Sequence, residues 1–319
     1  MTVTSTTSNA PLRSGLTLAL LSAATFGSSG VGAKALIASG WTAGGAVLVR
    51  LGGAAVILVI ATTIIHRGRW PLGPGSVRVL IVYGAVAMAG TQFAYFNAVR
   101  TLDVGVALLL EFLAPVLLLI WTAVRTRVLP SGPTLMGAGV AIAGLVLVID
   151  PRGAGPLDPV GVLWALAAAA GLSAFFVLSS RDSSGLPALV MAAGGTTVGA
   201  VLIGTAGLVG LIPVTMGTAP ALLAGRAVAW WIPSLWLVLV ATVIAYLTGI
   251  GAISRLGTRV ASFVGLTEVM FAVLIAWLVL AELPGRMQAI GGTLIVVGII
   301  IVRQRDQIER RTPSTESIA

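Results

Sequence analysis

The sequence predicts an all-α polytopic membrane protein of ten transmembrane helices, arranged as two inverted five-helix repeats. Three observations lead to this fold class. Of 319 residues, 57% are hydrophobic and only 9% are charged, whereas soluble domains carry about 25% charged residues. The apolar residues form continuous runs of helical length and not the alternation of a membrane β-strand. An internal repeat relates the two halves of the chain.

Apolar runs separated by short polar breakers give the ten spans. Roughly 20 apolar residues are needed for a helix to cross a bilayer. The one long connection, 213–231, is predicted to carry an interfacial helix, because Trp230 and Trp231 suit the headgroup region. The spans are predicted at residues 15–38, 42–65, 77–99, 103–123, 132–150, 159–180, 186–212, 232–253, 258–280 and 286–303.

The spans divide into a first repeat at residues 15–150 and a second at 159–303. Residues 1–14 are polar and are expected to form a disordered cytoplasmic tail. They lack the charged region and the small-residue cleavage site of a leader peptide, so the first span is expected to stay uncleaved. Residues 304–319 are predicted to form a second cytoplasmic tail, charged and then of low complexity.

The distribution of basic residues predicts the orientation. With both termini on one side, thirteen basic residues fall in the tails and connections of that side and five on the other. Positive residues concentrate in cytoplasmic loops. Both termini are therefore predicted to be cytoplasmic, in an inner or plasma membrane, and the net charge of +9 is explained without nucleic-acid binding.

The repeat appears when the chain is shifted by 154 residues, which places 102–121 over 256–275 and 129–149 over 283–303. A near shift of 146 places 15–24 over 161–170. Each unit has five spans, and an odd number inverts the second copy relative to the first, as in many secondary transporters. Identical pairs include Leu102/Leu256, Val106/Val260, Ala107/Ala261, Leu129/Leu283, Pro130/Pro284, Gly137/Gly291 and Gly144/Gly298.

The stretch Val104 to Trp121 (VGVALLLEFLAPVLLLIW) contains the strongest functional candidate. It is apolar except for Glu111. A carboxylate at the centre of a membrane helix costs roughly 2.5–3.5 kcal/mol on insertion scales, so Glu111 is expected to face protein or water. Pro115 has no backbone N–H and is predicted to kink the helix beside this acid, which makes it a candidate hinge.

Several classes of function are excluded by residue types that the chain lacks. With no cysteine and one histidine, His66, neither a thiolate site nor a metal-ligand cluster is predicted. No cofactor is expected. A phosphate-binding loop is absent from the sequence, which argues against ATP-driven transport by this chain.

Ten spans with these motifs resemble the drug/metabolite transporter superfamily, EamA type. ALLLEFLAPVLLLIW in span four and RVASFVGLTEVMFAVLIAWLVLAELP in span nine look like the fourth- and ninth-helix signatures of that family. Arg50, in VLVRLGGAAV, fits the second-helix arginine of the family, and the Ala-Glu-Leu segment (281–283) fits its boundary acid. VALLLEF is also similar to the threonine/homoserine exporter subgroup. The chain departs from the pattern at Val269, where the family has proline, and at Val128, where it has glutamate.

Glu111 and Glu268 lie one helical turn apart once the copies are superposed by the 154 offset. Either acid could bind a substrate amine, exchange a proton, or serve only as a hydrogen-bonded structural group. Arg50 could pair with an acid or hold a carboxylate, or snorkel to the outer interface, and Lys34 is predicted to snorkel there. Three further residues are candidate cavity-lining groups or ordinary interhelical hydrogen-bond partners: Gln92 and Tyr95, which share a face of span three, and Tyr246, which lies over Gln92 at the 154 offset.

The leading hypothesis is a secondary transporter that exports a small metabolite, an amino acid or a related compound, by alternating access. Protons are a candidate coupling ion, and either a monomer or a homodimer fits the sequence. The alternatives are a multidrug efflux transporter and a membrane-embedded enzyme. An enzyme would need a Ser/His pair, paired acids on adjacent helices or metal ligands; His66, the sole histidine, falls in a predicted cytoplasmic loop, so no enzymatic activity is predicted.

Overall fold

A computed structural model describes residues 10–127, 130–149, 157–180 and 185–309 of the chain. Nearly all of the regular structure in these ranges is helical. The helices are α1 (Ala10–Gly27), α2 (Ser29–Ala38), α3 (Ala43–Ile65), α4 (Ser76–Tyr83), the π-helical segment π1 (Gly84–Gly90), α5 (Thr91–Ala98), α6 (Val104–Glu111), α7 (Ala114–Thr126), α8 (Gly132–Ile149), α9 (Pro159–Ser180), α10 (Ala188–Leu208), α11 (Trp231–Leu235), the π-helical segment π2 (Trp236–Ile244), α12 (Ala245–Gly265), α13 (Thr267–Leu280) and α14 (Arg286–Glu309).

These helices fall where the ten spans are predicted. Helix α12 covers the end of span eight and the start of span nine, and non-helical backbone angles at Gly257 (φ 74°, ψ 161°) separate its two parts. Six described helical stretches are long and apolar enough to cross a membrane, and four more are shorter apolar helices. The six are Arg13–Ala38, Ala43–Ile65, Ser76–Ala98, Val104–Thr126, Ala188–Leu208 and Trp231–Gly257; the four are Gly132–Val148, Pro159–Ala174, Thr267–Leu280 and Arg286–Val302.

Helical structure extends into both of the predicted tails. Helix α1 already begins at Ala10, inside the predicted N-terminal tail, and α14 continues to Glu309, inside the predicted C-terminal tail. The other tail residues, 1–9 and 310–319, lie outside the described part of the chain.

The prediction of an interfacial helix between spans seven and eight is wrong. This connection forms an antiparallel hairpin of β1 (Ala221–Leu223) and β2 (Arg226–Val228). The hairpin is held by other parts of the chain: Ala224 donates its N–H to the carbonyl of Val279, 2.8 Å away, at the end of α13. Backbone hydrogen bonds between strands satisfy these polar groups without a helix.

A π-helical segment interrupts the third and the eighth span at matching places. At the 154 offset, π1 (Gly84–Gly90) falls on residues 238–244, within π2 (Trp236–Ile244). In π2 the Thr242 hydroxyl donates to the carbonyl of Leu237, five residues earlier, at 2.8 Å. Segments of this kind occur often at functional sites.

Helices α8 and α14, the equivalent fifth helices of the two repeats, pack against each other through glycines. A Cβ atom on Gly144 would lie 2.5 Å from the carbonyl oxygen of Gly291, and a Cβ atom on Gly291 would lie 2.5 Å from that of Gly144. Gly137 and Gly298 approach in the same way. Because Gly137 meets Gly298 while Gly144 meets Gly291, the two helices run antiparallel. Two helix backbones can approach this closely only where the residues at the contact are very small.

A contact between α1 and α12 has an equivalent contact between α9 and the loop before α6. A Cβ atom on Gly15 would lie 2.7 Å from Leu256 Cδ2, and one on Gly161 would lie 2.8 Å from Leu102 Cγ. Gly161 corresponds to Gly15 at the 146 offset, and Leu102 corresponds to Leu256 at the 154 offset. The first span of each repeat therefore packs on the other repeat at the same place.

A second pair of equivalent contacts lies deeper in the bundle. A Cβ atom on Gly27 would lie 2.7 Å from the carbonyl oxygen of Glu268. The equivalent residue of the second repeat, Ser173, donates its hydroxyl to the carbonyl oxygen of Ala114 at 2.8 Å. Both contacts fall beside the interruptions of the fourth and ninth spans, which position the acidic residues.

Candidate functional site

Glu111 is the last residue of α6, and the fourth span is interrupted directly after it. Helix α7 begins at Ala114, with Pro115 in its first turn. Proline has no N–H to donate to the carbonyl four residues earlier, which here is the carbonyl of Glu111. The interruption that the sequence predicted beside this acid is therefore present.

Glu268 lies on the other side of the equivalent interruption. Helix α12 ends at Gly265 and α13 begins at Thr267, so Glu268 is in the first turn of α13. At the 154 offset, Gly265 corresponds to Glu111 and Thr267 falls one residue before the counterpart of Ala114. An acidic side chain near the N-terminus of a helix is stabilised by the helix dipole. No proline accompanies this second interruption, and the sequence did not indicate it.

Both acids are partly exposed, although they lie within the apolar spans. Within the described ranges, no lysine or arginine nitrogen lies within 4.0 Å of either carboxylate, and neither carboxylate takes part in a hydrogen bond. An ionised carboxylate inside a membrane helix has a high free-energy cost unless it is paired with a cation or hydrated. Two acids of this kind next to helix interruptions are suited to bind a cation or a proton.

Arg50 is the buried cation of the site. Only 2% of its surface is exposed, so it does not snorkel to the outer interface as one reading of the sequence had it. Its Nε donates to the Thr242 hydroxyl at 2.9 Å, its Nη1 to Gln92 Oε1 at 2.7 Å, and its Nη2 to the carbonyl of Ala241 at 3.1 Å. The guanidinium also lies over the Phe96 ring, 5.5 Å from its centroid.

The partners of Arg50 join the two repeats. Gln92 lies on α5 in the first repeat, whereas Thr242 and Ala241 lie on π2 in the second. All three hydrogen-bond acceptors are neutral, so the positive charge is not cancelled by a direct ion pair. A guanidinium has five N–H groups, and three of them are used in these bonds. A direct pair between Arg50 and an acid, one of the alternatives that the sequence left open, is not formed in the described part of the chain.

The other predicted residues, Tyr95 and Tyr246, lie near this arginine. Tyr95 is buried at 3% exposure, and its hydroxyl is the one buried side-chain polar atom of the described chain without a hydrogen-bond partner. This hydroxyl lies against Gly30. The Tyr246 hydroxyl lies 3.2 Å from Met88 Sδ, and its ring meets Phe26 edge-on at 5.0 Å.

Helix geometry places several of these groups at a similar depth. Arg50 is seven residues from the start of α3, Gln92 is six from the end of α5, and Glu111 is seven from the start of α6. At 1.5 Å per residue, each lies roughly 9–11 Å from the same end of the bundle. Glu268 lies deeper, twelve residues before the end of α13.

A charged cluster that the sequence did not predict joins the ends of α2 and α13 to the start of α6 at that end of the bundle. Lys34 lies 2.5 Å from Glu282 and 3.7 Å from Asp103, and it donates to the carbonyl of Leu102 at 2.8 Å. The other oxygen of Glu282 accepts the N–H of Val104 at 2.9 Å. Lys34 therefore does not snorkel. The feature of the sequence that could have indicated this cluster is that Lys34 is the only lysine of the chain.

Three comparisons place these observations beside known proteins. The model of the EamA-like transporter family matches residues 13–150 and 159–304. A comparison with curated protein sequences gives no significant match. One crystal structure superposes with a TM-score of 0.57 at 21% identity, over 93% of this chain and 99% of the other. At that identity the superposition supports the fold alone.

Proposed function

This chain belongs to the EamA-like transporter family, and we propose that it exports a small metabolite, an amino acid or a related compound, by alternating access. Membership makes it a membrane transporter of the drug/metabolite transporter superfamily, with a small-molecule substrate and a bilayer as its surroundings. The identity of the substrate, the direction and the mechanism are the proposal. The observation that carries it is the pair of partly exposed, unpaired acids beside the buried Arg50.

The proposed architecture is ten membrane crossings in two inverted units, residues 15–150 and 159–303, with both termini cytoplasmic. The support is the packing of equivalent helices. In an inverted repeat, the fifth helices of the two units run in opposite directions, and α8 and α14 are antiparallel through Gly137, Gly144, Gly291 and Gly298. The repeated Gly15 and Gly161 contacts agree with the same symmetry.

Alternating access would use the interruptions of the fourth and ninth spans. Helices α6 and α7 can change their angle at residues 112–113 without breaking a continuous hydrogen-bond ladder, and Pro115 is the proposed hinge residue. Glu268 lies in the first turn of α13 at the equivalent place. Inverted repeats permit two states that exchange the roles of the units, and a change of angle at these places would move the acids between the two sides.

In the proposed site, Glu111 and Glu268 bind the amine of the substrate or exchange a proton during the cycle. Arg50, held by Gln92 on one repeat and Thr242 on the other, supplies a positive charge whose position depends on both repeats. Two of its N–H groups remain for a substrate carboxylate. Tyr95 and Tyr246 complete the proposed wall of the site. This arrangement fits a zwitterion better than a hydrophobic cation.

The test is uptake and counterflow in proteoliposomes against amino acids, sugars and cationic drugs. We expect Glu111→Gln and Glu268→Gln to lower counterflow of the transported compound at least tenfold, while Glu309→Gln, at the end of α14, keeps the wild-type rate. Thermal unfolding of each variant shows that the protein is folded. Wild-type rates in both acid variants would refute the acid-centred mechanism, and transport of cationic drugs alone would favour a multidrug exporter.

Proton coupling is tested in the same vesicles with an internal pH-sensitive dye. If the acids exchange protons, addition of substrate changes the internal pH in wild-type vesicles and not in Glu111→Gln or Glu268→Gln vesicles. If they only bind the amine, transport proceeds without a pH change. Either outcome assigns a role to the acids. If the variants keep both transport and the pH change, the acids have only a structural role.

A further inference from the structure

A cavity of about 360 Å³ opens at the end of the bundle where α3 begins and α5 ends. Its wall is formed by the first turn of α3, the last turns of α5, the first turns of α9 and the chain after α10. Small-molecule sites are typically clefts of roughly 300–1,000 Å³, apolar with a few polar groups. This cavity has that size and lies apart from the acids.

Arg100 is the one charged residue among the described residues of the cavity wall. Within the described ranges, no carboxylate lies within 4.0 Å of its guanidinium. Asp158, outside the apolar span of α9, interacts electrostatically with Arg100. The Thr101 hydroxyl and the N–H groups of Val160 and Gly161 donate to that carboxylate, and these bonds together with Arg100 hold the pKa of Asp158 below its ordinary value.

Arg100 is exposed and forms no ion pair in the described part of the chain, so its guanidinium N–H groups can donate to a ligand. The start of α3 lies in the same wall and adds the positive end of a helix dipole. An anion is therefore favoured in the cavity over a cation. An arginine can hold a carboxylate through two parallel N–H···O bonds.

The rest of the wall is suited to a flat apolar group. Phe93 and Trp164 meet edge-on, with ring centroids 5.7 Å apart, and both line the cavity. Asn97 donates its amide N–H to the carbonyl of Phe93 at 2.8 Å, and its amide oxygen remains available as an acceptor. Trp41 and Thr42, also in the wall, already use their polar groups within the protein.

We propose that this cavity is a second binding site, for small carboxylates that carry an aromatic or other planar apolar group. Arg100 holds the carboxylate, Phe93 and Trp164 contact the planar group, and Asn97 accepts a hydrogen bond from a ligand that offers one. The proposal does not rest on the transport cycle. Gly44 in the cavity wall and Arg50 are six residues apart on α3, which separates the two sites by roughly 9 Å along the helix.

The test is calorimetric titration of the purified full-length protein in lipid nanodiscs. The probes are 3-phenylpropionate and its amine analogue 3-phenylpropylamine, which differ in charge and share the ring. We expect saturable binding of the carboxylate, and binding of the amine at least about tenfold weaker, which corresponds to 1.4 kcal/mol. Equal binding of the two probes, or no saturable heat with millimolar carboxylate, would refute the proposal.

Variants assign the bound probe to this cavity. Arg100→Gln should weaken carboxylate binding about tenfold or more, and Trp164→Leu should weaken it several-fold without changing the preference for the acid over the amine. Arg226→Gln, an exposed arginine on β2, is the matched control and should bind as wild type. Binding that survives Arg100→Gln and is lost in Glu111→Gln would place the probe at the central acids and overturn the assignment, while leaving the proposed export function intact.

Discussion

The ammonium group of Lys34 lies 2.5 Å from Glu282 Oε1, so an ion pair joins the end of the first span to the end of the ninth. The second carboxylate oxygen of Glu282 accepts the N–H of Val104 at the start of α6. Three spans from both repeats are therefore fastened at one end of the bundle. Both side chains are largely buried, at 24% and 12% exposure, which limits screening by water and salt.

Lys34→Met should destabilise the protein, because it leaves Glu282 partly buried without its cation. The expected loss is about 1–3 kcal/mol, measured as a lower midpoint of thermal unfolding. Arg226→Met, which removes an exposed charge, should leave the midpoint within error. The exchange variant Lys34→Glu/Glu282→Lys should recover part of the loss relative to Lys34→Glu alone; no recovery would mean that the pairing contributes little.

Arg50→Lys should lower stability and transport together. A lysine cannot reproduce three hydrogen bonds in the plane of a guanidinium, so Gln92, Thr242 or the carbonyl of Ala241 loses its donor. The free-energy loss should be about 1–3 kcal/mol. Arg78→Lys, at an exposed position of α4, is the control. An Arg50→Lys variant with wild-type unfolding and wild-type transport would show that these hydrogen bonds do not hold the repeats together.

Gly144→Ala should disrupt the packing of α8 on α14. The added Cβ would lie 2.5 Å from the carbonyl oxygen of Gly291 and 2.8 Å from the backbone nitrogen of Ile295, so backbone must move. Gly139→Ala, on the same helix, has open space around the new Cβ and should be neutral or stabilising by up to about 1 kcal/mol. The comparison is made by thermal unfolding in the same detergent, and equal midpoints would contradict the close approach.

Tyr95→Phe tests whether a hydroxyl without a partner in this structure has a role in transport. Removing a buried, unsatisfied O–H should be neutral or slightly stabilising. If the hydroxyl contacts substrate or finds an acceptor in another state, transport falls while the unfolding midpoint does not. Tyr246→Phe is the comparison: its hydroxyl contacts Met88, so stability should fall by about 0.5–1.5 kcal/mol. Unchanged transport in Tyr95→Phe would remove Tyr95 from the site.

Labelling of single introduced cysteines tests the orientation of the chain in the membrane. No native cysteine contributes background labelling, because the chain has none. With both termini cytoplasmic, Gly225→Cys in the hairpin turn should react with a membrane-impermeant maleimide on intact cells. Gly68→Cys, in the connection after α3, should react only after permeabilisation. Both glycines have positive φ, 71° and 75°, so the strain of substitution is matched. The opposite labelling pattern would invert the topology.

The helices themselves could be predicted from the sequence, because their cause is local. A run of about 20 apolar residues must satisfy its backbone hydrogen bonds within itself in a bilayer, and a helix does so. Pro115 interrupts its own helix for an equally local reason, the missing N–H. The glycines of α8 and α14 were visible as matched pairs, although their contact was not.

Other features depend on residues distant in the chain, and only the tertiary structure decided them. The sequence left an acid, a bound carboxylate and the outer interface as alternatives for Arg50, whereas its partner Thr242 is 192 residues away. Lys34 meets Glu282 because the first and ninth spans end side by side. The helix interruption at Leu266 is not accompanied by a proline, so the sequence did not indicate it. The 213–231 connection forms a β-hairpin, whereas its tryptophans suggested a helix. The apolar pattern determines which segments are helices in a membrane, but a polar side chain within them takes whichever partner packing places beside it.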